Sequence, residues 1–266
     1  MKWDPVLSRI AFIDFEATGP NPSEDRPTEV ACLITDNDFN ILDKYQSFIW
    51  EKTYPELSLE IEQLTNIKNA HLIAGGKHPS KVFKELDIFC SEHSVKWAVA
   101  HNSQFDKTIW ESECVRQSMD PPCIVDWICT LKDVPYDSKF RCKILSHLAL
   151  DHGISIDPST LHRAMADVEL LVKLMREGGY SLPEILAFKS QPWVYIKVEV
   201  PPPWEDNGKG KEIVRAAGYS WQKDMRWGDD APSFSKQWVK RVKAGDLETE
   251  KLKDLGYPRR VVQGVI

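Results

Sequence analysis

One stretch constrains the fold more than any other: RIAFIDFEATG, residues 9–19. Ile10, Ala11, Phe12, Ile13 and Phe15 read as a strand buried on both faces, and the Thr-Gly pair closes it with a turn. Into that strand the chain sets two carboxylates, Asp14 and Glu16. Side chains alternate between the faces of a strand, so these two point the same way and Phe15 points opposite. Like charges about 4 Å apart cost roughly 4 kcal/mol at an effective dielectric near 20. Either the acids sit on a solvated edge, or a divalent cation between them removes the repulsion.

Two further carboxylates raise the same problem. In VAHNSQFD, residues 99–106, a buried strand runs into a helix that Asn102 or Ser103 is placed to cap. Asp106 then shares a helix face with Ile109 and Trp110. An acid in a first helical turn is commonplace, because the dipole favours it. In TLHRAMADVELL, residues 160–171, Asp167 lies on the same helical side as Ala164, Leu171 and Leu174. A carboxylate on an apolar face is rare unless something pairs with it. His162 stands five positions earlier, about 140° away on a regular helix, so the two do not stack on one face. A loop position ahead of the helix would let His162 swing over a site that Asp167 anchors.

Four oxygen-donor acids, Asp14, Glu16, Asp106 and Asp167, suit Mg²⁺ or Mn²⁺ rather than zinc. The six cysteines form no CxxC pair and no zinc-ligand spacing. Two divalent ions would balance four negative charges and leave attraction for a phosphodiester. A neutral histidine, with an ordinary pKa near 6.5, could take the proton of the attacking water. A binding or scaffold protein with a decayed site competes with this reading, but decay removes ligands and none is missing. A phosphatase with a paired-aspartate strand competes less well, since Glu16 replaces the second Asp and no downstream lysine pattern follows.

The rest of the chain suggests where these pieces sit. TEVACLITD and DKYQSFIW read as strands joined by the turn DNDFN, and KWAVA as a short buried strand. Helical spacing marks ELSLEIEQLTNI, PSKVFKELDIFCSEH, the segment after HN, KILSHLALDHG and about 163–177. The alternation predicts an α/β domain over 1–185 with a mixed sheet. Residues 186–205 read as a Pro-rich linker, with VPPPWEDNGKGK (200–211) running across its end, and 206–266 as a small Trp-rich basic α+β module. FSKQWVKRVKAGDLETEKLKDLGY in that module reads as helix with charged flanks.

Net charge is −6, which argues against a protein that coats nucleic acid through a broad basic groove. The charge is uneven: residues 1–190 hold 20 Lys+Arg against 29 Asp+Glu, and the rest 14 against 11. In the tail, Trp221 and Trp227 with Lys209, Lys211, Lys223 and Arg226 could stack bases and meet phosphates. The competing view makes most of those tryptophans core, which a unit of this size needs. No membrane-length apolar run and no signal peptide are read, which predicts a cytoplasmic protein with no membrane partner.

The three acidic motifs resemble those of the DEDDh family of 3′→5′ exonucleases, the DnaQ-like branch of the ribonuclease H-like fold. D-x-E-x-T-G stands here as DFEATG, H-N-x-x-F-D as HNSQFD and H-x4-D as HRAMAD, in the family's order. The middle of the chain is most similar to the exonuclease X-like and polymerase-proofreading group. The resemblance implies a ribonuclease H-like mixed β-sheet flanked by helices. It implies Asp14, Glu16, Asp106 and Asp167 as ligands of two Mg²⁺ (or Mn²⁺), with His162 as general base. Ala17 and Thr18 would lie beside the terminal nucleotide, Leu64 would wedge against the last base, and Asn102 and Phe105 would line the pocket. The implied reaction releases nucleoside 5′-monophosphates from a nucleic acid 3′ end, DNA ahead of RNA. A homodimer or a replication or repair partner is compatible with the sequence, which specifies neither. One residue departs from the family: Asn66 follows Thr65 where Gly is usual, and Asn tolerates the left-handed backbone that this turn needs.

Overall fold

The computed structural model describes residues 9–137, 140, 142–225 and 234–262. The chain divides into two compact units, Met1–Lys189 and Ser190–Ile266.

In the first unit β1 (Arg9–Ala17), β2 (Pro27–Thr35) and β3 (Ile41–Phe48) form an antiparallel meander. The β2–β3 turn closes on Asp36, whose carboxylate accepts the backbone N–H groups of Asp38 and Asn40. Helices α1 (Leu59–Thr65), α2 (Asn69–Gly75) and α3 (Pro79–Glu92) follow, then β4 (Val95–Ala100) and α4 (Ser103–Arg116). β5 (Trp127–Cys129), α5 (Thr130–Asp133), α6 (Leu145–Asp151), α7 (Ala164–Glu177) and α8 (Leu182–Ser190) complete the unit. The strand order is β3-β2-β1-β4-β5, with β4 parallel to β1 and β5 parallel to β4. This is the mixed sheet that the sequence predicts, with the acid-bearing strand at its centre.

Strand periodicity sorts β1 between two apolar layers. Ile10 and Phe12 pack with Leu33 against Val168, Leu171 and Leu174 of α7. Ala11, Ile13 and Phe15 pack on the opposite face with Phe83 of α3 and Trp110 of α4. The even-numbered positions therefore face α7, and Asp14 and Glu16 continue that row.

The second unit is α+β: β6 (Trp193–Val198), α9 (Pro203–Asp206), α10 (Lys209–Ala216), β7 (Ser220–Met225), β8 (Phe234–Lys243), α11 (Leu247–Leu252) and β9 (Arg259–Val262). Its antiparallel sheet has the order β7-β8-β6-β9. Ile196, Val198, Val214, Tyr219, Trp238 and Val242 form its core.

Two expectations change, and one strand is added. The segment 186–205 holds the end of α8, the inner strand β6 and the start of α9, not a free linker. Its prolines cluster at 201–203, whereas Trp193, Val194, Tyr195, Ile196 and Val198 are strong strand formers. FSKQWVKRVK is strand β8, and helix begins only with α11. Trp238, Val239 and Val242 fit a helical stripe as well as a strand, and pairing with β6 and β7 decides for the strand. Trp127–Cys129 is a third parallel-edge strand too short for its pattern to be read. Arg226, Trp227 and the side chain of Lys223 lie outside the described residues.

Candidate active site

The end of β1 is where charge enters the fold. Carboxylate oxygens of Asp14, Glu16 and Asp167 lie within 4.8 Å of one another. The first two come from β1 and the third from the first turn of α7, which packs against that strand. All three side chains are half-buried. Asp106 is buried near the start of α4, and its Oδ1 accepts the N–H of Phe15 at 3.1 Å. β4 is in register with β1 only as far as Phe12, so Asp106 satisfies a backbone donor beyond the paired part of that edge.

Burial and mutual repulsion both work against ionisation of these acids. Burial pushes Asp14 well above the ordinary carboxylate range, and the charges of Asp106, Glu16 and Asp167 push it further. Glu16 is raised to about 8 by burial, then by Asp167 and Glu29. Burial raises Asp106 to about 7 against the pull of the Phe15 N–H. Asp167 rises to about 6, again through burial, with His162 opposing the shift. Four acids that resist ionisation together are in want of positive charge.

His162 does sit ahead of α7, one residue before the helix N-cap Arg163. It is exposed, and its φ of 59° is left-handed, a conformation that L-residues adopt at a cost. Its backbone N–H bonds to the Asp167 carboxylate, and the next residue, Arg163, makes a pair that no local sequence pattern names. Arg163 donates from Nε and Nη2 to the carboxylate of Glu29 at 3.1 and 2.9 Å. Glu29 also accepts the N–H of Ala164 at the helix start, 3.2 Å, and the side-chain amide of Gln46, 2.9 Å. Glu29 is the β2 neighbour of Glu16 and almost fully buried. The signal was available: a lone carboxylate inside the apolar run TEVACLIT needs a partner as much as Asp167 does.

The expected substrate-contact residues fall in three places. Ala17 sits at a register shift just after Glu16 and is buried. Thr18 follows it and is committed to the loop: its hydroxyl donates to Asp25, 3.1 Å, and accepts the N–H of Arg26, 3.0 Å. Gly19 is required beside them, since a Cβ there would come within 2.6 Å of the Asp25 carboxylate. Asn102 occupies the N-cap position of α4, exposed and without a capping bond, so the expected side-chain cap is not made. Phe105 packs partly against the core one residue before Asp106. Leu64 stands on α1, 49% exposed, and Asn66 behind it is left-handed at φ 55° as the departure from Gly requires.

A β1 acid pair, a helix acid from α4 and a histidine-plus-acid at α7 stand on a sheet of order 3-2-1-4-5. The model of the RNase T exonuclease family matches residues 11–175. The chain belongs to this exonuclease family, in the DnaQ-like DEDDh class that its motifs resemble. Among solved structures, E. coli exonuclease I in complex with single-stranded DNA, in a zinc-bound form, is similar with a TM-score of 0.64 at 16% identity, covering 94% of this chain and 68% of that one. The exonuclease I of Methylocaldum szegediense gives 0.60 at 14%, with 92% and 68% covered. The nuclease domain of 3′hExo, a DEDDh family member bound to rAMP, gives 0.56 at 18%, with 66% and 96% covered. At these identities the likeness speaks for the fold. No curated protein matches the sequence significantly.

Proposed function

We propose that this exonuclease is divalent-metal-dependent and works in the 3′→5′ direction, releasing nucleoside 5′-monophosphates from DNA 3′ ends. The observation that carries the reading is the convergence of Asp14, Glu16 and Asp167 within 4.8 Å, with Asp106 buried beside the same strand end. Their chemistry fits a hard divalent cation: every donor is a carboxylate oxygen, and the neighbouring guanidinium of Arg163 is already engaged by Glu29. Asp14, Glu16, Asp106 and Asp167 would hold two Mg²⁺ or Mn²⁺ ions, which supply neutralisation of the acids and of the phosphate. His162, exposed on its turn, accepts the proton of the water that attacks phosphorus. Ala17 and Thr18 border the terminal nucleotide, Asn102 and Phe105 line its pocket, and Leu64 meets the last base.

DNA is favoured over RNA because two solved likenesses that span more than nine-tenths of the chain are exonuclease I, one of them bound to single-stranded DNA. The likeness to the rAMP-bound 3′hExo nuclease domain covers a smaller share. The test is a set of 5′-labelled oligonucleotides (single-stranded DNA, duplex DNA and RNA), each incubated with Mg²⁺, Mn²⁺ or EDTA. The expected result is a ladder shortening from the 3′ end, strongest on DNA and absent in EDTA. Internal cuts, or a ladder that survives EDTA, would sink the reading.

A further inference from the structure

The second unit leaves aromatic surface open that its core does not use. Trp204 is 81% exposed and Trp221 46% exposed, although indole rings are large apolar groups that folding ordinarily buries. Together with Trp238 and Pro202 they wall a groove of about 560 Å³, whose rim carries Lys211 and Arg215. Those two cations are four residues apart on α10, hence side by side on one helix face. The Arg215 guanidinium lies 5.9 Å from the centre of the Trp238 ring, and Trp221 meets Trp238 edge-on at 5.6 Å. Glu205 and Glu212, neighbours in sequence, do not line the groove.

Flat indole faces beside paired cations match a ligand that offers both π-faces and regularly spaced negative charge. A duplex hides its base faces, and a proline-rich peptide lacks the charge. We infer that the Trp204–Trp221 groove with Lys211 and Arg215 binds unpaired nucleotides of a single-stranded nucleic acid, bases stacked on indole and phosphates at the rim. This rests on the exonuclease reading for its biological sense, though the groove lies wholly within the second unit. The charge distribution agrees, since residues 191–266 carry an excess of Lys+Arg while the preceding residues are acidic.

The test uses the full chain in EDTA, so that no strand is consumed. Fluorescence anisotropy measures binding of a 5′-labelled 20-nucleotide oligo-dT, the same backbone without bases, and a 4-nucleotide oligo-dT. Trp204→Ala, at a side chain open to solvent, should weaken the 20-mer by roughly 5- to 100-fold, the scale of one lost stacking platform. Trp204→Phe should restore most of that loss, and Arg215→Ala should weaken the 20-mer and flatten its salt dependence. The base-free strand should bind the native protein as weakly as oligo-dT binds Trp204→Ala. Equal affinity of native protein and Trp204→Ala for the 20-mer, or equal affinity for base-free and base-bearing strands, overturns the inference. Cleavage of the 4-mer with Mg²⁺ is measured in parallel and should be the same in Trp204→Ala. A native protein that fails to cleave it refutes the exonuclease reading and leaves the binding comparison intact.

Discussion

The two units handle their awkward groups in opposite ways. Around β1 the first unit gathers negative charge into a half-buried space, where Asp14, Glu16 and Asp167 lie within 4.8 Å of one another. The second unit instead leaves apolar rings in solvent, with Trp204 and Trp221 facing a groove edged by cations. Each arrangement is unfavourable for a chain on its own, because like charges repel in low dielectric and exposed indole forgoes burial. Each becomes favourable once a ligand arrives, and the two ligands have opposite character: small hard cations for the acids, a flat-ringed polyanion for the tryptophans. The contrast teaches that departures from good folding practice point at function, and that their chemistry names the class of ligand.

The comparison breaks first at the acids. Asp14→Asn and Asp167→Asn should each reduce 3′-end cleavage to background while circular dichroism shows the fold intact. Full activity in either would remove the carboxylate cluster from the reaction. Replacing His162 by Ala should slow mononucleotide release by roughly 10²–10⁴-fold, the usual scale for a lost general base. Mn²⁺ titration by calorimetry should remain near normal in that variant, and a near-native rate would retire His162 as base.

A somewhat smaller loss is expected from the support beneath it. Arg163→Ala removes the bidentate bond to Glu29 and frees the left-handed turn at His162, so kcat should fall by about 10- to 100-fold while KM changes little. An unchanged kcat would show that the Glu29–Arg163 pair serves stability alone.

Proton linkage gives the next effect. Glu16 is held near 8 and Asp167 near 6 in the fold, above their ordinary values of about 4.3 and 3.9. Between roughly pH 4 and 8 the ion-free fold therefore binds protons that the unfolded chain has released, so its stability falls as pH rises through that window. The Tm in EDTA should drop between pH 5 and 8.5, and Mg²⁺ should raise it more at pH 8.5 than at pH 5. A pH-independent Mg²⁺ shift would contradict the clustered burial of these acids. The smallest change is Asn66→Gly, which relieves a left-handed residue at the end of α1 and should add less than about 1 kcal/mol in urea unfolding.

What could be read from the amino acids was uneven, for physical reasons. β1, α4 and α7 announce themselves because each sets a carboxylate among apolar residues, and the structure brings those elements to one place. Glu29 is legible as a lone carboxylate in an apolar run, but its partner Arg163 is more than a hundred residues away, and no local pattern names that partner. β5, at three residues, is shorter than a pattern. β8 carries Trp and Val at spacings that satisfy both periods, and only its pairing partners select between them. The tail's tryptophans divided: Trp238 went to the core, Trp204 and Trp221 to solvent, a partition that composition cannot make.

The antiparallel turn between β2 and β3 has a practical use. Because β2 runs against β1, the Asp36–Asn40 loop falls at the start of β1, where Ile10 pairs with Thr35, while the acids sit at its other end. Four residues of strand separate Ile10 from Asp14 and six from Glu16, roughly 13 and 20 Å. Asp38, exposed at the tip, is therefore a handle for a fluorophore or a surface tether through which single molecules could be watched at work without touching the chemistry.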